Sequence, residues 1–214
     1  MLKVSEIFHS IQGESSFAGW PCAFVRLSGC NLRCSYCDTR YAYDDGVAME
    51  VSEILRRVDA CSCDLVEVTG GEPLLQSEAS RLVRELADRG LRVLVETNGS
   101  MDISPLDVRS IVIMDVKCPS SGQSHCNDLA NLGRLRPGDE VKFVIADRAD
   151  YEFARELVLG MRPGEGKQNV KHFSPVFGRM EPSCLAQWIL EDRLCVRLNL
   201  QLHKVIWGPS QRGV

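Results

Sequence analysis

Cys30, Cys34 and Cys37 lie within eight residues, spaced Cys-x3-Cys-x2-Cys, directly after the apolar run 23–27. Thiolates are soft ligands, so this grouping points to zinc or an iron–sulfur cluster before it points to packing. A structural zinc site closes with four protein ligands, whereas three cysteines around an iron–sulfur cluster leave one iron open to another molecule. Cys22 is the nearby thiol that could complete a zinc shell, and the loop lacks a matching second cysteine pair. Cys61, Cys63, Cys118, Cys126, Cys184 and Cys195 are scattered. In a chain long enough to fold without staples they read as reduced packing residues, not as a disulfide scaffold.

Four further stretches carry residue types suited to a site. Gly70-Gly71-Glu72-Pro73 has two glycines whose main chain can approach a ligand closely, although alone it would be read as a tight turn. Glu96-Thr97-Asn98-Gly99, Asp115-Val116-Lys117-Cys118-Pro119-Ser120 and Phe173-Ser174-Pro175-Val176 follow other apolar runs. Lys117 can pair with a ligand carboxylate, or with Asp115 or Glu96 as structure.

These stretches need elements to hold them. Short, β-branched-rich runs predict strands over 23–27, 65–69, 92–97, 111–116, 140–146 and 169–174, as expected for a parallel sheet buried on both faces. A late run, 195–202, alternates Val196, Leu198, Leu200 and Leu202 with polar residues and predicts a strand with one buried face. Ser77 can cap a helix over 78–89 that Gly90 ends; Asp147 or Asp150 can start one through 161; Pro182 suits the first turn of one reaching 192. Ser104-Pro105 begins a short helical stretch. The connections 101–109 and 119–136 are cramped for full crossover helices. The expectation is an α/β fold, a curved parallel sheet or incomplete (β/α)6 barrel with shortened crossover helices, in one domain over 1–214. In such sheets ligands bind at the carboxyl ends of the strands, where all the singled-out stretches fall.

Composition excludes other classes. The 214 residues are 44% hydrophobic and 25% charged, as in ordinary globular proteins. A net charge of −4 gives no footprint for nucleic acid, and no apolar run is long enough to span a membrane. The first six residues already include Glu6 and lack a signal-peptide apolar core, so a cytoplasmic location is expected.

The cysteine loop together with Gly70-Gly71-Glu72-Pro73 resembles the radical S-adenosylmethionine (SAM) superfamily. The resemblance implies a [4Fe–4S] cluster on Cys30, Cys34 and Cys37, with SAM on the open iron. The flanks narrow it: residues 8–15 (Phe-His-Ser-Ile-Gln-Gly-Glu-Ser), 19–27, Cys37-Asp38-Thr39, and Gln201-Leu202-His203-Lys204-Val205-Ile206-Trp207 are similar to the 7-carboxy-7-deazaguanine synthase family. That family converts 6-carboxy-5,6,7,8-tetrahydropterin to 7-carboxy-7-deazaguanine by hydrogen abstraction, ring contraction and loss of ammonia in queuosine and 7-deazapurine synthesis, with Mg²⁺ assisting.

The resemblance assigns roles by position. Thr39 matches a magnesium ligand, with Asp38 orienting metal-bound water. Ile11, Gln12, Gly13, Glu14, Arg26, Thr69 and His203 match substrate-binding positions, Arg26 being able to grip a carboxylate through two parallel bonds. SAM would meet Tyr36, Cys37 and Asp38, Gly71, Glu96 or Asn98, Cys118, Pro119 and Ser120, and Phe173, Ser174, Pro175 and Val176. The chain end can approach the substrate through Pro209 or Val214. The family also implies a homodimer and an electron donor such as flavodoxin. Two rivals stay open at this point: another small radical SAM enzyme, such as an activase that places a glycyl radical on a partner protein, and a zinc-stabilised binding domain.

Overall fold

The computed structural model describes residues 1–162 and 168–214. One sheet runs through the chain, with strands β1 (Leu2–Ile11), β2 (Pro21–Leu27), β3 (Val47–Met49), β4 (Leu65–Gly70), β5 (Arg92–Thr97), β6 (Ile111–Val116), β7 (Glu140–Ile145), β8 (Val170–Pro175) and β9 (Arg197–Leu198). Their spatial order is β3-β1-β2-β4-β5-β6-β7-β8-β9. From β2 to β9 every pairing is parallel, while β1 is antiparallel to both β2 and β3. The two edges do not pair with each other, so the sheet is open and not a closed barrel.

Helices α1 (Val51–Asp59), α2 (Ala79–Asp88), α3 (Arg148–Gly160) and α4 (Pro182–Glu191) fill four of the connections. The two cramped connections carry no α-helix: β5 to β6 is turns alone, and β6 to β7 uses three 3-10 turns. Ser104-Pro105 therefore begins a turn, not a helix. Asp147 caps α3 by accepting from the Asp150 N–H at 3.0 Å, and Gly90 ends α2 with φ near 79°. Ser77 does not cap α2, which begins two residues later after Glu78.

Alternation along the parallel strands decides what goes where. Ala23, Val25, Leu27, Val66, Val68, Val93, Val95, Val112, Met114, Val141, Phe143 and Phe173 belong to the large core shared with the helices. The intervening residues face the other way. Near the strand starts these are Cys22, Phe24, Leu65, Leu94 and Ile113, a second, smaller apolar cluster. Further along the same parity they turn charged: Arg26, Glu67, Glu96, Asp115 and Lys142 all border one cavity. The inner face is thus an apolar floor with a ring of charge above it.

Several elements depart from the sequence expectation. Strands β1 and β3 and helix α1 lie in stretches where no element is expected. The run 195–202 forms a strand only at Arg197–Leu198, and Leu198 and Leu200 are exposed. The Asn199 N–H still bonds Phe173 O of β8 at 3.0 Å, and the chain then turns to the N-terminal loop, where the Leu202 N–H bonds Gly13 O at 2.9 Å. It continues as α5 (Leu202–Trp207), so His203 sits on a helix and not beside a strand.

The loop after β2 is fixed by the loop after β4. Gly71 N–H donates to Leu27 O at 3.2 Å and Glu72 N–H to Gly29 O at 2.8 Å. A Cβ at Gly71 would lie 2.2 Å from Gly29 O and 2.7 Å from Cys30 Cβ. Backbone on both sides cannot yield cheaply, so Gly71→Ala should destabilise the fold by about 1–3 kcal/mol and lower iron bound per chain after anaerobic reconstitution. Thermal melting with iron analysis checks this; full iron loading at unchanged stability would show that the contact is not needed.

Candidate active site

The cavity at the carboxyl ends of the strands has a volume of about 530 Å³. Cys30, Cys34 and Cys37 border it, all three thiols free and half-buried. Their loop is held from several directions. Ser35 N–H and Oγ donate to Ser121 O and Ser120 O at 3.0 and 2.7 Å, and Arg33 Nη1 donates to Cys30 O at 2.7 Å. Asn98 Nδ2 donates to Asn31 Oδ1 at 3.0 Å and lies 3.9 Å from Cys30 Sγ, which also accepts from Leu32 N–H at 3.4 Å. Hydrogen bonds to cysteine sulfur are one lever that tunes an iron–sulfur potential.

Cys22 cannot join these three as a zinc ligand. It lies buried near the start of β2, roughly 16 Å along the strand from its other end at ~3.3 Å per residue, in the small apolar cluster with Phe24 and Leu94. The donor set around the loop is therefore three thiolates facing an open cavity, which fits an iron–sulfur cluster with one further ligand position. The orphaned, buried Asp115 Oδ1 beside that cavity also fits a ligand carrying N–H or O–H donors.

The other half of the site is a charge network. Lys142 reaches up from β7, fully surrounded by protein, and its Nζ lies 3.0 Å from Glu14 Oε2 and 3.8 Å from Asp115 Oδ2, with a direct ion pair to Glu96. Lys117 Nζ pairs with Asp115 Oδ2 at 2.8 Å, which settles its partner as Asp115. Burial opposes charge on Lys142, yet the attraction of Glu14, Glu96 and Asp115 outweighs it and holds the ammonium well above the usual lysine range. Burial alone would raise the Glu14 carboxyl, but Lys142, His203 and a hydrogen bond from Gln201 bring it down to about 2. His203 is shifted down by burial, with Glu14 opposing.

Both chain ends build this half. A Cβ at Gly13 would lie 2.1 Å from His203 Nδ1, so the glycine lets the N-terminal loop and α5 meet. Gln201 Nε2 donates to Glu14 Oε1 at 2.9 Å, and Lys204 Nζ pairs with Asp38 Oδ2 at 2.5 Å. Thr39 Oγ1 and Asp38 Oδ1 are 3.0 Å apart at the cavity edge. Among the described residues no group of three His, Cys, Asp or Glu side chains forms a ready-made single-ion site, so none lies at Thr39. A hard cation at Thr39 would therefore draw most of its oxygen shell from substrate and water, as Mg²⁺ often does. Pro209 and Val214 both border the cavity.

Of the positions expected from sequence, Ile11, Gln12, Gly13, Glu14, Arg26, Tyr36, Asp38, Thr39, Thr69, Gly71, Glu96, Asn98, Val176 and His203 line the cavity with the three cysteines. Several are already engaged with protein. The Gln12 amide donates to Glu67 and accepts from the Glu14 N–H at 2.9 Å, so it braces the loop instead of offering a free acceptor. Arg26 Nε bonds Glu6 at 2.7 Å, leaving its outer nitrogens for a ligand. Asn98 Oδ1 accepts from Ser100, which makes that side chain a brace for the cysteine loop.

The structure does not bring Cys118, Pro119, Ser120, Phe173, Ser174 or Pro175 to the cavity wall. Phe173 has the parity of the helix-facing residues and packs edge-on against Phe143 and Tyr151. Cys118 is buried in the same core, and Ser120 is spent on Asp150 and the Ser35 hydroxyl. Ser174 accepts from Asn199. The residues that sequence reading missed, Glu67, Asp115 as a wall residue, and Lys142, share one signal: a charged residue of inward parity inside an apolar strand.

Lys142→Met would strand Glu14 and Glu96 without their counter-ion. Breaking a buried pair costs about 3–5 kcal/mol. Freed of Lys142, the Glu14 carboxyl loses the attraction that helps bring it down, so the folded variant binds a proton there more tightly than the folded wild type. The deficit should then grow as pH rises from 5 toward 8. Urea unfolding of both proteins at the two pH values measures it, and a pH-independent deficit would argue that Lys142 acts through packing alone.

Comparison with known proteins accords with this geometry. The radical SAM superfamily matches residues 24–111, which contain the three cysteines and Gly70-Gly71-Glu72-Pro73. A 7-carboxy-7-deazaguanine synthase of Chlorobaculum tepidum is 52% identical, covering 100% of this chain and 97% of that protein. The one from Koribacter versatilis is 44% identical with both chains covered completely. The crystal structure of QueE from Escherichia coli shares the fold with a TM-score of 0.79 at 21% identity, covering 94% of each chain. The full-length similarity at these identities, together with a three-cysteine loop opening on a carboxylate-lined cavity, means that the chain belongs to the 7-carboxy-7-deazaguanine synthase family of radical SAM enzymes.

Proposed function

We propose that the protein converts 6-carboxy-5,6,7,8-tetrahydropterin to 7-carboxy-7-deazaguanine with loss of ammonia. The observation that carries this reading is the pairing, in one small cavity, of the three-cysteine loop with the buried Glu14–Lys142–Glu96 network. A volume of about 530 Å³ suits a fused heterocycle beside SAM, and the full-length similarity to 7-carboxy-7-deazaguanine synthases favours this reading over an activase.

Cys30, Cys34 and Cys37 hold the [4Fe–4S] cluster. When bound, cluster and SAM supply the one-electron chemistry that removes a hydrogen atom from the substrate. Everything else is positioning by the chain. Glu14, kept ionised by Lys142, accepts N–H groups of the amino-pyrimidinone edge. Arg26 offers its outer guanidinium nitrogens to the substrate carboxylate, and His203 and Thr69 bound the remaining sides. Thr39 would hold Mg²⁺, which would take its remaining ligands from substrate and water. Tyr36, Asp38, Gly71, Glu96 and Val176, which line the cavity, would be the contacts to SAM. Helix α5 and the N-terminal loop shut one side against water, so that 1–214 works as one catalytic unit whose two ends complete the substrate site.

The same reading carries a homodimer and a flavodoxin-type electron donor, both implied by the family. Ten free cysteines fit a reducing compartment and therefore the cytoplasm. No described helix is long and apolar enough to cross a membrane.

Anaerobically reconstituted protein given the carboxypterin, SAM, Mg²⁺ and a chemical reductant should release 7-carboxy-7-deazaguanine, seen by mass spectrometry. Formation of 5′-deoxyadenosine without any deazaguanine would sink the reading. Thr39→Ala should keep its full iron content while losing most of the rate increase produced by Mg²⁺. An unaltered magnesium titration would remove Thr39 from the ligand role.

A further inference from the structure

Glu67 lies on β4 one step above the apolar floor, with Phe24 of β2 and Leu94 of β5 as its register partners. It is almost wholly buried and borders the cavity. Four carboxylates share this region: Glu14, Glu67, Glu96 and Asp115. Three have an ammonium in direct contact, Glu14 and Glu96 through Lys142 and Asp115 through Lys117. Glu67 has none. Its neighbours are the Gln12 amide, the carboxylates Glu14 and Glu96, the thiol of Cys22, and the more distant Lys142 and Arg26, whose Nε is committed to Glu6. A buried carboxyl beside two carboxylates and without a cation of its own takes up a proton.

The hydrogen bonding says where that proton sits. Glu67 Oε2 accepts from Gln12 Nε2, and the far end of the same amide accepts the Glu14 N–H. Oε1 makes no hydrogen bond to the described residues, so the hydroxyl belongs on Oε1, at the cavity.

We propose that Glu67 is a specificity-determining residue that presents an O–H donor to the substrate from the cavity floor. The ligand edge above it must then be an acceptor, a carbonyl oxygen or a ring nitrogen lone pair. Glu14 next to it demands the opposite, an N–H edge. Together they would read the alternating acceptor and donor groups of a pyrimidinone ring. This rests on the pterin reading of the cavity. Burial first, then Glu96 and Glu14 against Lys142, push the Glu67 carboxyl up to about 8, which agrees with the charge count.

The test has two arms on reconstituted protein without reductant, so that nothing turns over. Infrared difference spectra at neutral pH should show a protonated-carboxyl C=O band in the wild type that Glu67→Gln lacks. Equilibrium binding of the carboxypterin is then measured between about pH 6 and about pH 9 for wild type, Glu67→Gln and Glu67→Leu. Glutamine keeps a neutral donor, so its affinity should hold across the range. The ratio of wild-type to Glu67→Gln affinity, which cancels the ligand's own titration, should fall toward tenfold per pH unit once Glu67 ionises. Glu67→Leu should bind at least tenfold more weakly at every pH. Absence of the infrared band, or identical pH profiles for wild type and Glu67→Gln, would overturn the proposal. If the carboxypterin bound none of the three proteins, the functional reading would fail, and the infrared band would still decide the state of Glu67.

Discussion

A lysine buried on the inner face of a parallel sheet organises this molecule. Lys142 can stay charged only because Glu14, Glu96 and Asp115 converge on it from the N-terminal loop, β5 and β6. A lone ammonium in that position would cost several kcal/mol or shed its proton. The pairing therefore constrains three separate parts of the chain to one geometry, and it happens at the strand ends where the fold leaves a cavity. The stability of that end and the charge pattern of the site are the same set of contacts.

The trimmed architecture follows from how little covers the sheet. With no α-helix between β5 and β6 or between β6 and β7, the connections 98–110 and 117–139 cover the sheet themselves and brace each other directly. Asn131 Nδ2 donates to Gly99 O and Met101 O at 3.1 and 2.8 Å, standing in for the packing a crossover helix would supply. The open edge would leave the cavity wide, and the chain's two ends close it instead. Gly13 against His203 is the contact that makes this possible, since any side chain at position 13 would occupy the imidazole's place.

Much of this was readable in the sequence, for identifiable reasons. Most of the core strands are largely apolar, β-branched-rich runs, as double-sided burial requires, and the cysteine spacing is local enough to interpret unaided. Strand β1 was hidden because most of its side chains are only half-buried and its partners are set by the later antiparallel pairing. The run 195–202 misled because alternation reports a one-sided strand only when that side is covered, and here Leu198 and Leu200 face solvent. Phe173 was placed toward SAM from its position at a strand end. Counting parity along β8 puts it with Phe143 on the helix side. The same count, applied to Glu67 and Lys142, would have found them: each interrupts an apolar strand on the inward parity.

The two halves of the site differ in how far apart their parts lie along the chain. The cluster half joins residues 30–37 to 70–72 and 98, close neighbours through adjacent parallel strands, with backbone contacts at Gly71 fixing the register. Metal coordination demands that tight spacing, so it leaves a compact sequence signature. The charged half joins residues 12–14 to 142 and to 201–204, each more than a hundred residues away, through side chains whose partners are known only once the sheet is assembled. A short motif can therefore specify the chemistry while leaving the substrate open. In the function proposed above, substrate choice falls to single charged side chains on the inner face and to the segments around 12–14 and 201–204, whose positions the sheet dictates.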